Sequence, residues 1–377
     1  MLGMKHSDDG ARKGGPTIRK LVGPLLALVA ILALVGIVAC GGSDDDQSTD
    51  SGSSTAATGG GDDITATPID IEALPVGTDK FEESEPKQGY VFSCINNFTG
   101  SGAFESGPWF SDDLESYNLN EKIFVEGDVE WDAQFSTEVA GSDRNLTGNG
   151  LSPDPTGTFP VAESDPAYQY DRNPNTISEY ELAAALPADP QLADEPSCVG
   201  GTIGVSTTGI PIFSAFDAGG RDAVAWEIQD NCDGHPQATG QYHFHSLSTC
   251  LDSGSTEPGS EQIGWALDGL GIYIERDAEG TMLSTADLDE CHGRTSTVEW
   301  DGEQVEMYHY VATLDFPYLV SCYQGTAITE AEGLALGDPD GGGGRSEGGE
   351  LPEGGAPADG EAPPDGAAPS DGATPPE

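Results

Sequence analysis

Six cysteines spread from Cys94 to Cys322 constrain the fold of this chain more than any other feature, because the segment ahead of them directs them into an oxidising space. Lys5, Arg12, Lys13, Arg19 and Lys20 precede an apolar run from Leu21 to Ala39 that stops at Cys40, the layout of a secretory signal. Beyond a membrane, an even number of cysteines reads as a disulfide framework rather than as a set of nucleophiles. Six cysteines allow about fifteen connectivities. Chain proximity favours Cys94 with Cys198, Cys232 with Cys250 and Cys291 with Cys322, two of which would close short loops.

Ile37-Val38-Ala39-Cys40 resembles a bacterial lipobox. That implies cleavage before Cys40 and acylation of its sulfur and new amino terminus, with lipid holding the protein to the outer face of a membrane in the cell envelope. The alternative is an uncleaved spanning anchor, since the run is nearly long enough to cross a bilayer. Both export everything after Cys40. Charge narrows the partners: 66 acidic residues against 14 basic ones leave a formal net of -52, and the part after residue 39 keeps 64 acids against 9 bases. Such a surface repels phosphate backbones and anionic headgroups, so nucleic acid is excluded as a partner, whereas cations, neutral glycans and basic proteins are not.

Composition also divides the chain. Residues 1–39 are the signal, and residues 40–87, rich in Gly, Ser, Thr and Asp, read as a flexible tether. Residues 327–377, rich in Gly, Pro, Ala and acid, read as a disordered tail. Between them, residues 88–326 form one folded domain whose signals are mostly strands. Val129, Trp131, Ala133 and Phe135 alternate with polar neighbours, as do the residues from Ile177 to Leu182. Val298-Glu299-Trp300 and Glu303 to Met307 flank Asp301-Gly302, a two-residue hairpin turn. Only Asp222 to Asp230 has a short helical reading. The expected fold is mainly β: a single disulfide-stapled, β-sandwich-like domain with long loops.

Chemistry concentrates in Gly240-Gln241-Tyr242-His243-Phe244-His245, bracketed by Cys232 and Cys250. In a strand, His243 and His245 share one face while Tyr242 and Phe244 occupy the other. Imidazoles at i and i+2 can project toward one ion, with a third arriving from another strand. His309, in Tyr308-His309-Tyr310, shares its face with Val305, Met307 and Val311 and is the expected third ligand. His235, beside Pro236 in a Gly-rich loop, is a fourth candidate, and Asp268 is the expected acidic ligand or orienting group. Structural alternatives stand beside these: a buried His309 satisfied by a carboxylate or a carbonyl, and an Asp268 closing its own turn. Asp289, Glu290 and Arg294 are expected to form ion pairs beside Cys291, and Tyr242, Tyr308 and Tyr310 to be core aromatics with hydrogen-bonded tips.

Several runs occur in an order that resembles the YHYH domain family: Asn149-Gly150-Leu151-Ser152-Pro153, Asn173-Pro174-Asn175, Asp217-Ala218-Gly219-Gly220-Arg221-Asp222, Cys232-Asp233-Gly234-His235-Pro236, Tyr242-His243-Phe244-His245, Leu267-Asp268-Gly269 and Asp315-Phe316-Pro317-Tyr318. Phe244 stands where the name-giving motif has Tyr, Asp154 stands near a position where relatives carry His, and His292 stands where Asn is usual. The resemblance implies no settled activity. Phosphate loops, Gly-x-Ser-x-Gly elbows and His-Glu-x-x-His helices are absent from the sequence. The expectation is an exported, lipid-anchored domain binding copper or zinc through clustered histidines. A metal-dependent hydrolytic or oxidative surface enzyme and a metal-free structural or adhesive module are the alternatives.

Overall fold

In the computed structural model, Asp301 and Gly302 close a hairpin between Gly293–Trp300 and Glu303–Ala312. Both turn residues have positive φ (51° and 85°), the backbone that Asp-Gly accepts and most residues resist. The structure describes residues 64–98, 102–103 and 105–336. The export signal, Cys40, the start of the tether and the tail after residue 336 lie outside the described residues.

The described chain is mainly β. Its centre is an eight-stranded mixed sheet of β1 (Thr202–Ser206), β2 (Pro211–Phe213), β3 (Gly234–Pro236), β4 (Tyr242–Phe244), β5 (Gly259–Ala266), β6 (Gly271–Arg276), β7 (Gly293–Trp300) and β8 (Glu303–Ala312). The spatial order is β3-β4-β2-β1-β5-β6-β8-β7. The pairs β2 with β4 and β6 with β8 are parallel, the others antiparallel. Every residue of β1 is buried, as a strand covered on both faces must be.

A three-stranded antiparallel sheet (Phe135–Ala140, Asp143–Gly148, Leu182–Pro187) supplies a second layer. Leu146, Leu182 and Leu186 leave it to join Ile203, Ile263 and Ile272 of the main sheet in one core. Each such leucine contributes about 1.5–3 kcal/mol. Arg144 ties the layers at their edge: its guanidinium lies against the rings of Trp265 and Trp300 (5.4 and 4.8 Å) and pairs with Asp301 at 2.8 Å.

The disulfides join Cys94 to Cys198, Cys232 to Cys250 and Cys291 to Cys322, the pairing expected from chain proximity. Four sequence expectations shift, the first being the run from Ile177 to Leu182, which is irregular until a strand begins at Leu182. The alternation from Val129 to Phe135 appears as alternating half-buried and exposed residues, but the ladder begins only at Phe135, with one isolated bridge from Val129 to Thr156. Residues 64–87, expected within the tether, instead pack: Leu74 pairs with Tyr117 and is 1% exposed, and Ala66 donates its N–H to Asp277. The first residues of the expected tail also pack, with Leu334 buried and Ala335 accepting from the Thr202 N–H. Composition misjudged both margins because a few apolar residues, placed on existing edges, order a polar segment.

Candidate metal centre

Three histidines meet because two short strands register them. In the antiparallel pair of β3 and β4, His235 lies directly opposite His243. His245 follows His243 by two residues and therefore points to the same side. The ring centroids lie 4.6 Å (His235 to His243), 5.3 Å (His235 to His245) and 4.9 Å (His243 to His245) apart. On the opposite side, Tyr242 and Phe244 pack into a small apolar cluster with Ile177 and Ile210. The hairpin is held by the Cys232–Cys250 bridge and by Gly240, whose φ of 86° lets the chain turn where a Cβ would strike Ser178.

Hydrogen bonds fix which nitrogen faces inward in two of the three rings, those of His243 and His245. His243 donates from Nδ1 to the Gln241 carbonyl (3.2 Å), and His245 from Nδ1 to the Ser214 carbonyl (2.6 Å). A carbonyl only accepts, so both Nδ1 atoms carry the proton and both Nε2 atoms present lone pairs. Those Nε2 atoms are 3.1 Å apart. Two lone pairs at that distance repel unless a cation stands between them. A proton is a poor candidate: burial pulls His245 down to about 4 and holds His243 well below the usual imidazole range, and the neighbouring rings add to the effect on His243 and His235.

Glu227 stands beside two of the three rings, those of His235 and His245. It follows the short helix α1 (Ala223–Trp226), which starts at Asp222, whose carboxylate accepts the N–H groups of Val224 and Ala225. Asp171 accepts the next N–H, that of Ile228, and so fixes the segment. Glu227 Oε2 lies 3.5 Å from His235 Nε2 and 3.6 Å from His245 Nε2. Burial, then Asp217 and Asp171, hold its carboxyl well above the usual range, a tendency that a nearby divalent cation reverses. Ligands about 2.0–2.1 Å from a tetrahedral ion sit roughly 3.3 Å from one another. The His243–His245 spacing of 3.1 Å and the two Glu227 spacings of 3.5 and 3.6 Å lie near that value; the donor atoms of the three histidines all lie within 4.8 Å of one another, a group that does not include Glu227.

Among the described residues, eight buried side-chain polar atoms lack a hydrogen-bond partner, and three are here: Glu227 Oε2 and both ring nitrogens of His235. Buried groups are ordinarily satisfied, so this concentration marks a place built for something else. The site opens on a cavity of about 960 Å³ lined in part by Phe98, Asn173, Asn175 and Phe216, with Phe213 stacked on His243 at 4.0 Å.

His309 and Asp268 belong elsewhere. In the sheet order, β4 and β8 are five strand spacings apart, about 24 Å, so His309 does not reach the ring cluster. It donates from Nδ1 to the Met307 carbonyl and places Nε2 3.4 Å from Glu275, which also pairs with Arg294 and accepts from Ser296. Arg294 thus pairs with Glu275 rather than beside Cys291. Asp268 accepts from the Tyr310 hydroxyl (2.6 Å) and from the Gly325 and Leu270 N–H groups, a closed structural set. Tyr242 and Tyr308 likewise donate to Asp230 and Asp289, as expected of core aromatics. Glu227 was the residue that sequence reasoning missed. Nothing in its spacing to the histidines points to it, and only the Asp222 cap signals the turn that aims it.

The family model described as YHYH protein matches residues 183–283. The chain carries a YHYH domain. The match includes Glu227, His235, His243, His245 and the Cys232–Cys250 bridge, and it ends before His309. No curated protein and no solved structure matches the chain. Among the described residues, no helix is long and apolar enough to cross a membrane.

Proposed function

We propose that the YHYH domain binds one transition-metal ion, copper or zinc, through Nε2 of His235, His243 and His245, with Glu227 as the fourth donor. The observation that carries this reading is the pair of lone-pair-bearing Nε2 atoms of His243 and His245 facing each other at 3.1 Å, each fixed by an Nδ1 bond to a carbonyl. Nitrogen-rich donors suit both ions, and the general affinity order favours Cu(II) where it is available. His309 and Asp268 are not part of this donor set.

The protein is exported and lipid-anchored at Cys40 in this reading, which places the site outside the cytoplasm. Three disulfides support an extracytoplasmic setting. Protein purified without a His-tag, loaded separately with Zn²⁺ and Cu²⁺ and dialysed, is expected to hold one ion per chain by elemental analysis. The double variant His243→Ala, His245→Ala is expected to hold none. Near-zero metal in the wild type after both loadings would refute the proposal and leave the metal-free structural reading.

A metal-dependent enzyme is the second reading, favoured by the aromatic-lined cavity beside the histidines. Substitution with Co²⁺ tests it: a visible spectrum altered by azide or imidazole would report an exchangeable position, and a spectrum indifferent to both would exclude this reading.

A further inference from the structure

In so acidic a chain a basic side chain ordinarily finds a carboxylate. Lys87, Arg144, Arg221, Arg276 and Arg294 are paired with Glu82, Asp301, Asp217, Asp252 and Glu275, each at 3.2 Å or less. Lys122 departs from this pattern. It closes the 3₁₀ turn Leu119–Glu121, and its ammonium donates to the side-chain carbonyl of Gln229, a neutral partner. Gln229 is itself anchored, donating from its amide to the Ala223 carbonyl at 3.1 Å. An ammonium has three donors, and one is used.

Lys122 lines a cavity of about 250 Å³ that is separate from the one beside the histidines. Leu119, Ile123, Val224 and Leu247 give it an apolar wall, and Phe124, 49% exposed, stands at its border with solvent. Asp233 lines the same cavity and accepts the Thr249 N–H through Oδ2 (2.8 Å). A cation with no direct salt bridge among the described residues, a carboxylate that attracts it without touching it and an aliphatic wall thus share one small space. At about 250 Å³ the cavity falls just below the usual range of ligand pockets, about 300–1,000 Å³, and so suits a small molecule.

We propose that this cavity binds a small zwitterion with an aliphatic substituent, a free neutral α-amino acid, whose carboxylate meets Lys122 and whose ammonium meets Asp233. A simple anion fits less well because Asp233 lines the cavity, and a simple amine because Lys122 does. Burial draws Lys122 down only to about 8, so the ammonium form persists at neutral pH. The cavity is distinct from the one beside the histidines, although the Lys122 charge is felt at Glu227, His235 and His245.

The test is titration calorimetry on the full chain in detergent with chelator present, using L-leucine, 4-methylpentanoate, which lacks the ammonium, and 3-methylbutylamine, which lacks the carboxylate. Leucine is expected to bind at one site per chain, and each analogue roughly tenfold more weakly or worse. Lys122→Met and Asp233→Asn are each expected to weaken leucine by a similar factor with unchanged circular dichroism. Absence of leucine binding at millimolar concentration, or equal binding of either analogue, overturns the proposal. That ligand series uses the wild-type protein and decides the matter even where a variant fails to fold.

Discussion

Replacing His235 with Leu separates a metal centre from a merely structural cluster. In the metal-free protein both ring nitrogens of His235 are buried without a hydrogen-bond partner. Each such group costs about 1–3 kcal/mol relative to an apolar replacement of similar shape. His235→Leu keeps the volume and removes both, so the metal-free variant is expected to be more stable than the metal-free wild type by about 2–4 kcal/mol. For a domain of this size, about 2–4 °C per kcal/mol, the melting temperature should rise by about 5–15 °C. Metal reverses the order of effects. An ion at about a hundred times its dissociation constant stabilises the wild type by about 2.7 kcal/mol, whereas the variant, short of a donor, should gain little. Differential scanning calorimetry with chelator and with Zn²⁺ measures all four states. A variant that melts below the metal-free wild type would mean that the imidazole has a stabilising partner, and the reasoning from orphaned donors would fail.

The remaining predictions concern residues outside the donor set and the braces around it. His309→Ala should leave the metal content at one ion per chain while costing roughly 1–3 kcal/mol in denaturant titrations, because it takes a partner from Glu275; lost metal would contradict the assignment. His292→Asn should exchange stability order with pH. Burial pulls His292 down to about 3 against an unfolded value of 6.5, so between those values the unfolded chain binds a proton that the folded one refuses, and stability falls as pH falls from 6.5. Asn does not titrate and suits the φ of 68°, so the variant should gain about 2 kcal/mol over the wild type at about pH 5 relative to their difference at about pH 7.5; parallel pH profiles would refute this. Removing the Cys94–Cys198 bridge, which spans 104 residues, should cost nearly 5 kcal/mol, against about 3 for Cys232–Cys250, which spans 18. Only loss of the second should also weaken metal binding, measured by competition with a chelator.

Local signals carried far in this chain. The period-2 placement of His243 and His245, the Asp301-Gly302 turn and the disulfide pairing all depend on neighbours in sequence or on chain proximity, and all are present in the structure; of the short helix read over Asp222 to Asp230, only Ala223–Trp226 is helical. What sequence could not give is strand order. His309 sits in an aromatic strand much like that of His243, and both are fully surrounded, yet β8 and β4 lie toward opposite edges of the sheet. Pattern reports the face of a strand and never its place in the sheet. The same gap hid Glu227, which reaches the rings through a helix of four residues and a turn, with no periodicity to announce it.

The contrast between two kinds of buried polar group strengthens the functional reading. Asp230, Asp268 and Asp222 are each enclosed by a tyrosine hydroxyl and at least two backbone N–H groups, and such saturated sets specify a fold. At the histidine cluster the same chain does the opposite. It spends carbonyls of Gln241 and Ser214 on the outer nitrogens, which orients the rings, and leaves the inner nitrogens and Glu227 Oε2 unpaired among themselves. Orientation without satisfaction is costly in a metal-free core, because an apolar replacement would stabilise it. It becomes favourable when a cation supplies the missing partner, since the outer bonds then hold His243 and His245 in the position that ligation requires.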